Sequence, residues 1–282
     1  MRFRSSIDNF SQILKLTKIL TYLSKSITNA VIKLQKDQII ISDRFSDGEI
    51  NGLQMNCILP ISNFFTEYTL KPQNINYPEI CFILESLPTF VKILQNATKK
   101  YAKRMRIKLS TQGDKPCLVI ESTISNLSSG NSFLRNAIFI TIITKSKWFL
   151  YSSRFNFPFD VKFKLSSVRK LKTLLSSQRY KVSNIKIGMD RKRRLFISLR
   201  GISSKIDAFI TNGVKDIDFS SDLKNNQDVC LTVKLKQLLI FLDLAMTKLN
   251  TLTIGISSDK TIVFESSTNL FTLEYALKGV IE

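Results

Sequence analysis

Histidine is absent from the 282 residues. With it go every Ser-His-Asp or Cys-His catalytic unit, every imidazole acid or base and every histidine-ligated zinc site. Glycine is scarce, at nine residues, and neither G-x-x-x-x-G-K-[ST] nor G-x-G-x-x-G occurs, so no phosphate-cradling loop has a signature here. The four cysteines, Cys57, Cys81, Cys117 and Cys230, stand far apart. Zinc sites need closely paired thiolates and disulfide scaffolds need dense ones. Each cysteine instead sits in an apolar stretch, which predicts buried thiols in a reducing compartment. The opening MRFRSSIDNF has no apolar signal core, and no run approaches the roughly 20 apolar residues of a membrane span. These shortages predict a soluble intracellular protein without a cofactor. Acids are the last shortage: 22 Asp+Glu face 42 Lys+Arg, a formal charge of +20. Such an excess calls for a polyanion, either nucleic acid or an acidic membrane surface.

What is present is apolar material, 44% of the chain, enough for one large core or two ordinary ones. Short β-branched and aromatic runs predict strands at 30–35, 38–43, 53–59, 106–111, 117–123 and 136–144. The second half continues with 160–165, 185–189, 194–200, 206–211, 228–235, 252–257, 261–266 and 270–277. Their spacing suggests antiparallel meanders rather than βαβ units. Four segments show helical periodicity instead: about Asn9–Lys25, Ser86–Lys100 with Pro88 in its first turn, Ser166–Lys181 and Lys234–Lys248. MRFRSSI and its following helix match DVKFKL and its helix. The second helix and the strands after it match the fourth helix and the strands after that. A repeat this long is a duplicated domain, not a solenoid. It predicts domains at 1–144 and 160–282, joined by a linker at 145–159 (KSKWFLYSSRFNFPF).

The basic excess is unevenly spread. The four predicted helices carry Lys15, Lys18, Lys25, Lys92, Lys99, Lys100, Arg169, Lys170, Lys172, Arg179, Lys181, Lys234, Lys236 and Lys248, against the single acid Asp243. Lys15, Lys18, Tyr22 and Lys25 share one helical face, and Arg169, Lys172, Ser176 and Arg179 repeat that spacing. Lys92, Asn96 and Lys99 form a third such face, whereas the face through Lys236 also carries Ile240 and Asp243. A helix in a basic protein can simply solvate itself with lysine. Lysines without acids, however, gain no i,i+4 support and repel one another. An anionic partner explains the arrangement, and the spacing suits phosphate contacts that position without reading sequence. No zinc finger, recognition-helix or RRM-type signature accompanies it.

With these residues in view, the chain resembles the eukaryotic sliding clamps (PCNA-like), and among them the Hus-one (hydroxyurea-sensitive) subunits of the heterotrimeric nine-one-one DNA-damage checkpoint clamp. The matching segments are MRFRSSI, Asn63-Phe64-Phe65-Thr66-Glu67-Tyr68, Gln95-Asn96-Ala97, Arg106-Ile107-Lys108-Leu109, Pro116-Cys117-Leu118, Lys147-Trp148 and Lys236-Gln237-Leu238-Leu239-Ile240-Phe241-Leu242. They span nearly the whole chain. The resemblance implies an α+β sliding-clamp fold, with two tandem domains, antiparallel sheets outside and four helices inside. It implies a non-catalytic subunit that encircles double-stranded DNA without sequence preference. The DNA-facing residues would be Lys15, Lys18, Lys25, Lys92, Lys99, Arg169, Lys172, Arg179 and Lys236. Its partners would be two other clamp subunits, an ATP-dependent clamp loader, and repair and checkpoint clients docking at Trp148, Leu150, Tyr151 and Phe155. It implies the nucleus as the main location, with cytoplasm besides. Ring assembly would use edge strands, by position about Pro116–Thr123 and Lys205–Thr211. The polar run SNLSSGNS (125–132) would be the family's mobile insertion.

Other readings use the same residues. The same fold could serve as a homotrimeric replicative clamp, a polymerase processivity factor. A metal-dependent nucleic-acid enzyme would need carboxylates such as Asp43, Asp47 and Glu49, or Asp216, Asp218 and Asp222, which sit in turn-like stretches where acids commonly cap. A membrane-surface protein would need a Trp/Phe-rich face opposite its basic helices, which is lacking. The run Asp190-Arg191-Lys192-Arg193-Arg194 is either a nuclear-import signal or, more simply, a solvated hairpin tip.

Overall fold

A computed structural model describes residues 1–43, 53–72, 78–126, 130–144, 158–166, 168–178, 182–201, 205–220, 228–245, 251–257 and 261–280. The chain divides into two compact units, one of Met1–Arg44 and Cys57–Ser153, the other of Phe45–Asn56 and Arg154–Glu282. In chain order the first set of elements is β1 (Arg2–Ile7), α1 (Phe10–Leu23), β2 (Ala30–Leu34), β3 (Gln38–Asp43), β4 (Leu53–Pro60), β5 (Glu67–Lys71), β6 (Ile80–Leu84), α2 (Leu87–Lys99), β7 (Ala102–Gln112), β8 (Lys115–Asn126) and β9 (Gly130–Ile142). The second set is β10 (Val161–Leu165), α3 (Val168–Ser176), β11 (Asn184–Met189), β12 (Leu195–Arg200), β13 (Lys205–Ile210), β14 (Val214–Phe219), β15 (Val229–Lys234), α4 (Leu235–Ala245), β16 (Leu252–Ser257), β17 (Thr261–Ser267) and β18 (Thr272–Lys278). Both read strand, helix, five strands, helix, three strands.

The strand order is duplicated as well. The first unit pairs β5-β1-β7-β8-β9 and β6-β2-β3-β4; the second pairs β14-β10-β16-β17-β18 and β15-β11-β12-β13. Each strand of one list corresponds to the strand at the same place in the other. In the first unit the two runs join where Phe82–Leu84 of β6 pair with Ile140–Ile142 of β9. Fold class and antiparallel pairing thus follow the expectation: the described residues form an α+β protein with four helices and a duplicated set of antiparallel strands.

Alternation explains how the sheets bury one face. In β1, Phe3, Ser5 and Ile7 are buried while Arg2 and Arg4 are exposed, the period of two expected of a half-covered sheet, broken at Ser6, which is buried too and donates to Glu67 Oε2 at 3.2 Å. Phe3, Ile107 and Leu118 of the strands line one apolar space with Leu16, Leu20 and Phe90 of the helices, and Ile7, Met105, Ile120, Ile13 and Leu94 are buried as well. The second unit repeats this with Phe163, Leu171, Leu175, Phe241, Phe264 and Tyr275. There the Phe241 and Tyr275 rings stack at 4.8 Å, and the Tyr275 hydroxyl donates to the Gln237 carbonyl at 2.8 Å.

Three strands were not foreseen. β6 is apolar and buried throughout, so it shows no alternation; β5 and β14 are five and six residues long and largely exposed. The helix expected at 166–181 is shorter, Val168–Ser176. Two implied details are corrected. Pro116–Thr123 lies in β8, which is paired on both sides, by β7 and by β9, so it is no assembly edge. Much of 125–132 belongs to a β8–β9 hairpin, with Ser125 opposite Asn131 and Ile124 opposite Ser132. The expected edge at Lys205–Thr211 falls on β13, which ends its four-stranded sheet.

Candidate nucleic-acid interface

Helix α1 begins where the Asn9 side chain accepts from the Ser11 N–H at 2.8 Å, satisfying one donor that the first turn leaves open. It buries Ile13, Leu16, Thr17, Ile19, Leu20 and Leu23. Lys15, Lys18 and Tyr22 fall on the other side and are exposed, as is Lys25 just beyond the helix. The Lys25 ammonium lies 5.0 Å from the Tyr22 ring centroid, within range of the ring's negative face. Helix α2 is capped by Ser86, which accepts from the Thr89 N–H at 3.2 Å. Its buried stripe is Leu87, Phe90, Val91, Leu94 and Ala97, leaving Lys92, Asn96, Lys99 and the following Lys100 exposed. The two helices pack together, with Gln95 Nε2 donating to Thr21 Oγ1 at 3.2 Å. None of these six lysines has a carboxylate partner among the described residues.

The second unit's pair differs. α3 buries Val168, Leu171 and Leu175 and exposes Arg169 and Lys170. Lys172, expected to face DNA freely, instead reaches α4, where its Nζ lies 2.7 Å from Asp243 Oδ1. Lys234 and Lys236 are exposed. The six first-unit lysines therefore carry bare charge, while part of the second unit's is internally cancelled. Sequence periodicity could not reveal that pair, because its partners are on different helices. Arg179 lies outside the described residues, as do the linker positions Trp148, Leu150, Tyr151 and Phe155.

The acids and thiols have structural occupations. Asp216 lies 2.8 Å from Lys164 Nζ, whose hydrogen bond and charge hold the carboxyl below its ordinary range. Asp218 stands opposite Lys162, and Asp47, Glu49 and Asp222 are outside the described residues. No group of three or more acids and cysteines among the described residues is placed to hold a metal ion. All four cysteines are free thiols, three of them buried. Burial pushes the Cys81 thiol up to about 12, far from a reactive thiolate.

The basic run at 190–194 is a tied turn. The Asp190 carboxylate accepts from the Lys192 N–H at 3.0 Å, the Arg194 N–H at 2.7 Å and Arg194 Nε at 2.7 Å. Arg194 in turn sits 4.3 Å from the Phe209 ring centroid. This is a folded hairpin tip between β11 and β12, not an extended basic peptide.

Among the described residues no helix is long and apolar enough to cross a membrane. The chain matches no curated protein. A family model described as Hus1-like protein matches residues 1–192, which include the first unit's acid-free helix pair and reach into the second unit as far as the basic hairpin. That match covers about two thirds of the 282 residues, and with the duplicated clamp architecture it establishes that this chain belongs to the Hus1-like protein family of checkpoint clamp subunits.

Proposed function

We propose that this chain is a non-catalytic subunit of a heterotrimeric ring that encircles duplex DNA and scaffolds damage-signalling and repair factors. The observation that carries the reading is the acid-free face of α1 and α2, where Lys15, Lys18, Lys25, Lys92, Lys99 and Lys100 are exposed without carboxylate partners among the described residues. Bare lysines at helical spacing suit contact with phosphates by charge alone, with no base readout. In this reading Arg169 and Lys236 add to the DNA-facing set, Lys172 contributes only when freed from Asp243, and Arg179 completes it by sequence phase.

Assembly falls to open strand edges. β13 ends its sheet and β9 is paired with β6 only at its last residues. Both carry exposed aromatics, Phe209 on β13 and Phe133 and Phe139 on β9, features that invite pairing with another chain. An ATP-dependent loader would open the ring, clients would dock at the linker through Trp148, Leu150, Tyr151 and Phe155, and the work would be done in the nucleus.

Native mass measurement of the complex isolated with this chain tests the reading. The expected particle holds one copy of the chain with two different clamp-sized partners. A stable ring of three identical copies would overturn it in favour of a homotrimeric replicative clamp, and DNA cleavage by the pure protein with magnesium would overturn the non-catalytic assignment.

A further inference from the structure

The sheet face turned away from α1 and α2 carries charge that the helix face does not explain. On β1, Arg2 and Arg4 point to that side and are exposed. Arg2 stands directly opposite Lys71 of β5, and Arg4 stands opposite Lys108 of β7. Like charges directly opposite across a sheet are destabilising. Lys108 is compensated by Glu121 at 2.8 Å, but Arg2, Arg4 and Lys71 have no carboxylate partner among the described residues.

The duplication supplies an internal control. The second unit's β10 corresponds to β1, with Phe163 in the place of Phe3 and Lys162 and Lys164 in those of Arg2 and Arg4. There Lys162 stands opposite Asp218 of β14, and Lys164 stands opposite Lys215 but is paired with Asp216 at 2.8 Å. The fold can therefore carry basic residues at these positions with an acid beside each. In the first unit the facing positions are Lys71 and Thr69; like charges face each other in both units, but only in the second does an acid on the neighbouring strand compensate both basic residues.

We infer that this face of β5, β1 and β7 is a docking surface for an acidic peptide segment in extended conformation. Charge complementarity is the first ground. The second is β5 itself, which ends the sheet and leaves one side of its backbone unpaired among the described residues. That edge offers N–H and C=O groups for strand addition, and Lys71, Arg2 and Arg4 lie beside it to meet carboxylates on alternate residues. A nucleic-acid strand fits less well, because the exposed aromatics of the sheet, Phe133 and Phe139, are on β9, at the far side from β5. Stacking platforms are what single-strand binding needs. This surface is separate from the helix face and stands whether or not the helices contact DNA.

The test is fluorescence anisotropy of a labelled peptide of alternating Glu and Thr, about ten residues long to span a strand edge, with the full chain at low salt. The paired change Arg2→Glu with Arg4→Glu is expected to weaken binding roughly tenfold, since it removes two attractions and adds two repulsions. Lys71→Glu, which gives Arg2 an acid to face as Lys162 already has, is expected to weaken binding while holding or raising the melting temperature. Lys162→Glu in the second unit is expected to leave peptide affinity unchanged. Peptide affinity indifferent to the Arg2, Arg4 and Lys71 changes would overturn the proposal. So would a fall in melting temperature for Lys71→Glu, or a duplex oligonucleotide, rather than the peptide, that loses binding with these substitutions.

Discussion

Asp243→Asn should strengthen DNA binding, although it removes an ion pair. The carboxylate it deletes lies 2.7 Å from Lys172, with the two side chains 62% and 30% exposed. A pair that open to water contributes about 0.2–1 kcal/mol, so the folded unit should lose no more than that. The DNA side of the balance is of similar size, but it is read in binding rather than in folding. Freeing Lys172 adds up to one phosphate contact, which steepens the dependence of log K on log salt by about 0.9. Between roughly 50 and 200 mM salt such a contact changes affinity about threefold to fourfold. Lys172→Gln should act in the opposite direction, leaving Asp243 bare, and the double variant should return to the slope of the native protein. Anisotropy of a labelled duplex with the assembled ring, titrated with salt, reads all four proteins. An unchanged slope in Asp243→Asn, with Lys18→Gln lowering it as expected, would refute the placement of the α3–α4 pair against DNA.

Tyr275→Phe should cost about 1 kcal/mol in urea unfolding, because it removes the buried hydroxyl's bond to the Gln237 carbonyl and leaves the stacked ring in place. Burial works to raise the Asp190 carboxyl, but the side-chain and backbone hydrogen bonds from Arg194 prevail and hold it below its ordinary value. Its contribution is therefore complete above the ordinary aspartate range and lost as pH falls through the depressed value. The protection of the Lys192 and Arg194 amides, taken against the intrinsic exchange rate at each pH, should fall on acidification, and Asp190→Asn should show low protection already at neutral pH. Phe133→Glu with Phe139→Glu should abolish assembly while moving the melting temperature of the isolated chain little, because both rings are exposed at 73% and 52%; a misfolded variant would contradict their placement at the edge.

The helices of the first unit were legible because their apolar stripes and lysine faces repeat at helical spacing within one segment. The duplication was legible because it repeats residue types in order. Strand neighbours were not, since pairing is decided by residues far apart in the chain. The edge at Pro116–Thr123 was placed by position from the resemblance alone, and register overturns it: Pro116 faces Thr111 near the hairpin turn, and β9 pairing begins at Cys117. β6 escaped because a strand buried on both faces loses its alternation. The same limit hid Asp243 as the partner of Lys172, and the contrast between Arg2 facing Lys71 and Lys162 facing Asp218. Each depends on register, which composition and periodicity do not carry.

Topological retention tests the encircling of DNA most directly. If the proposal holds, a ring containing this chain, loaded by an ATP-dependent clamp loader onto nicked circular DNA, should survive a high-salt wash that strips electrostatic contacts and should leave when the circle is cut. Equal retention on linear and circular DNA, or complete loss from the intact circle in the same wash, would contradict a clamp that encircles the duplex.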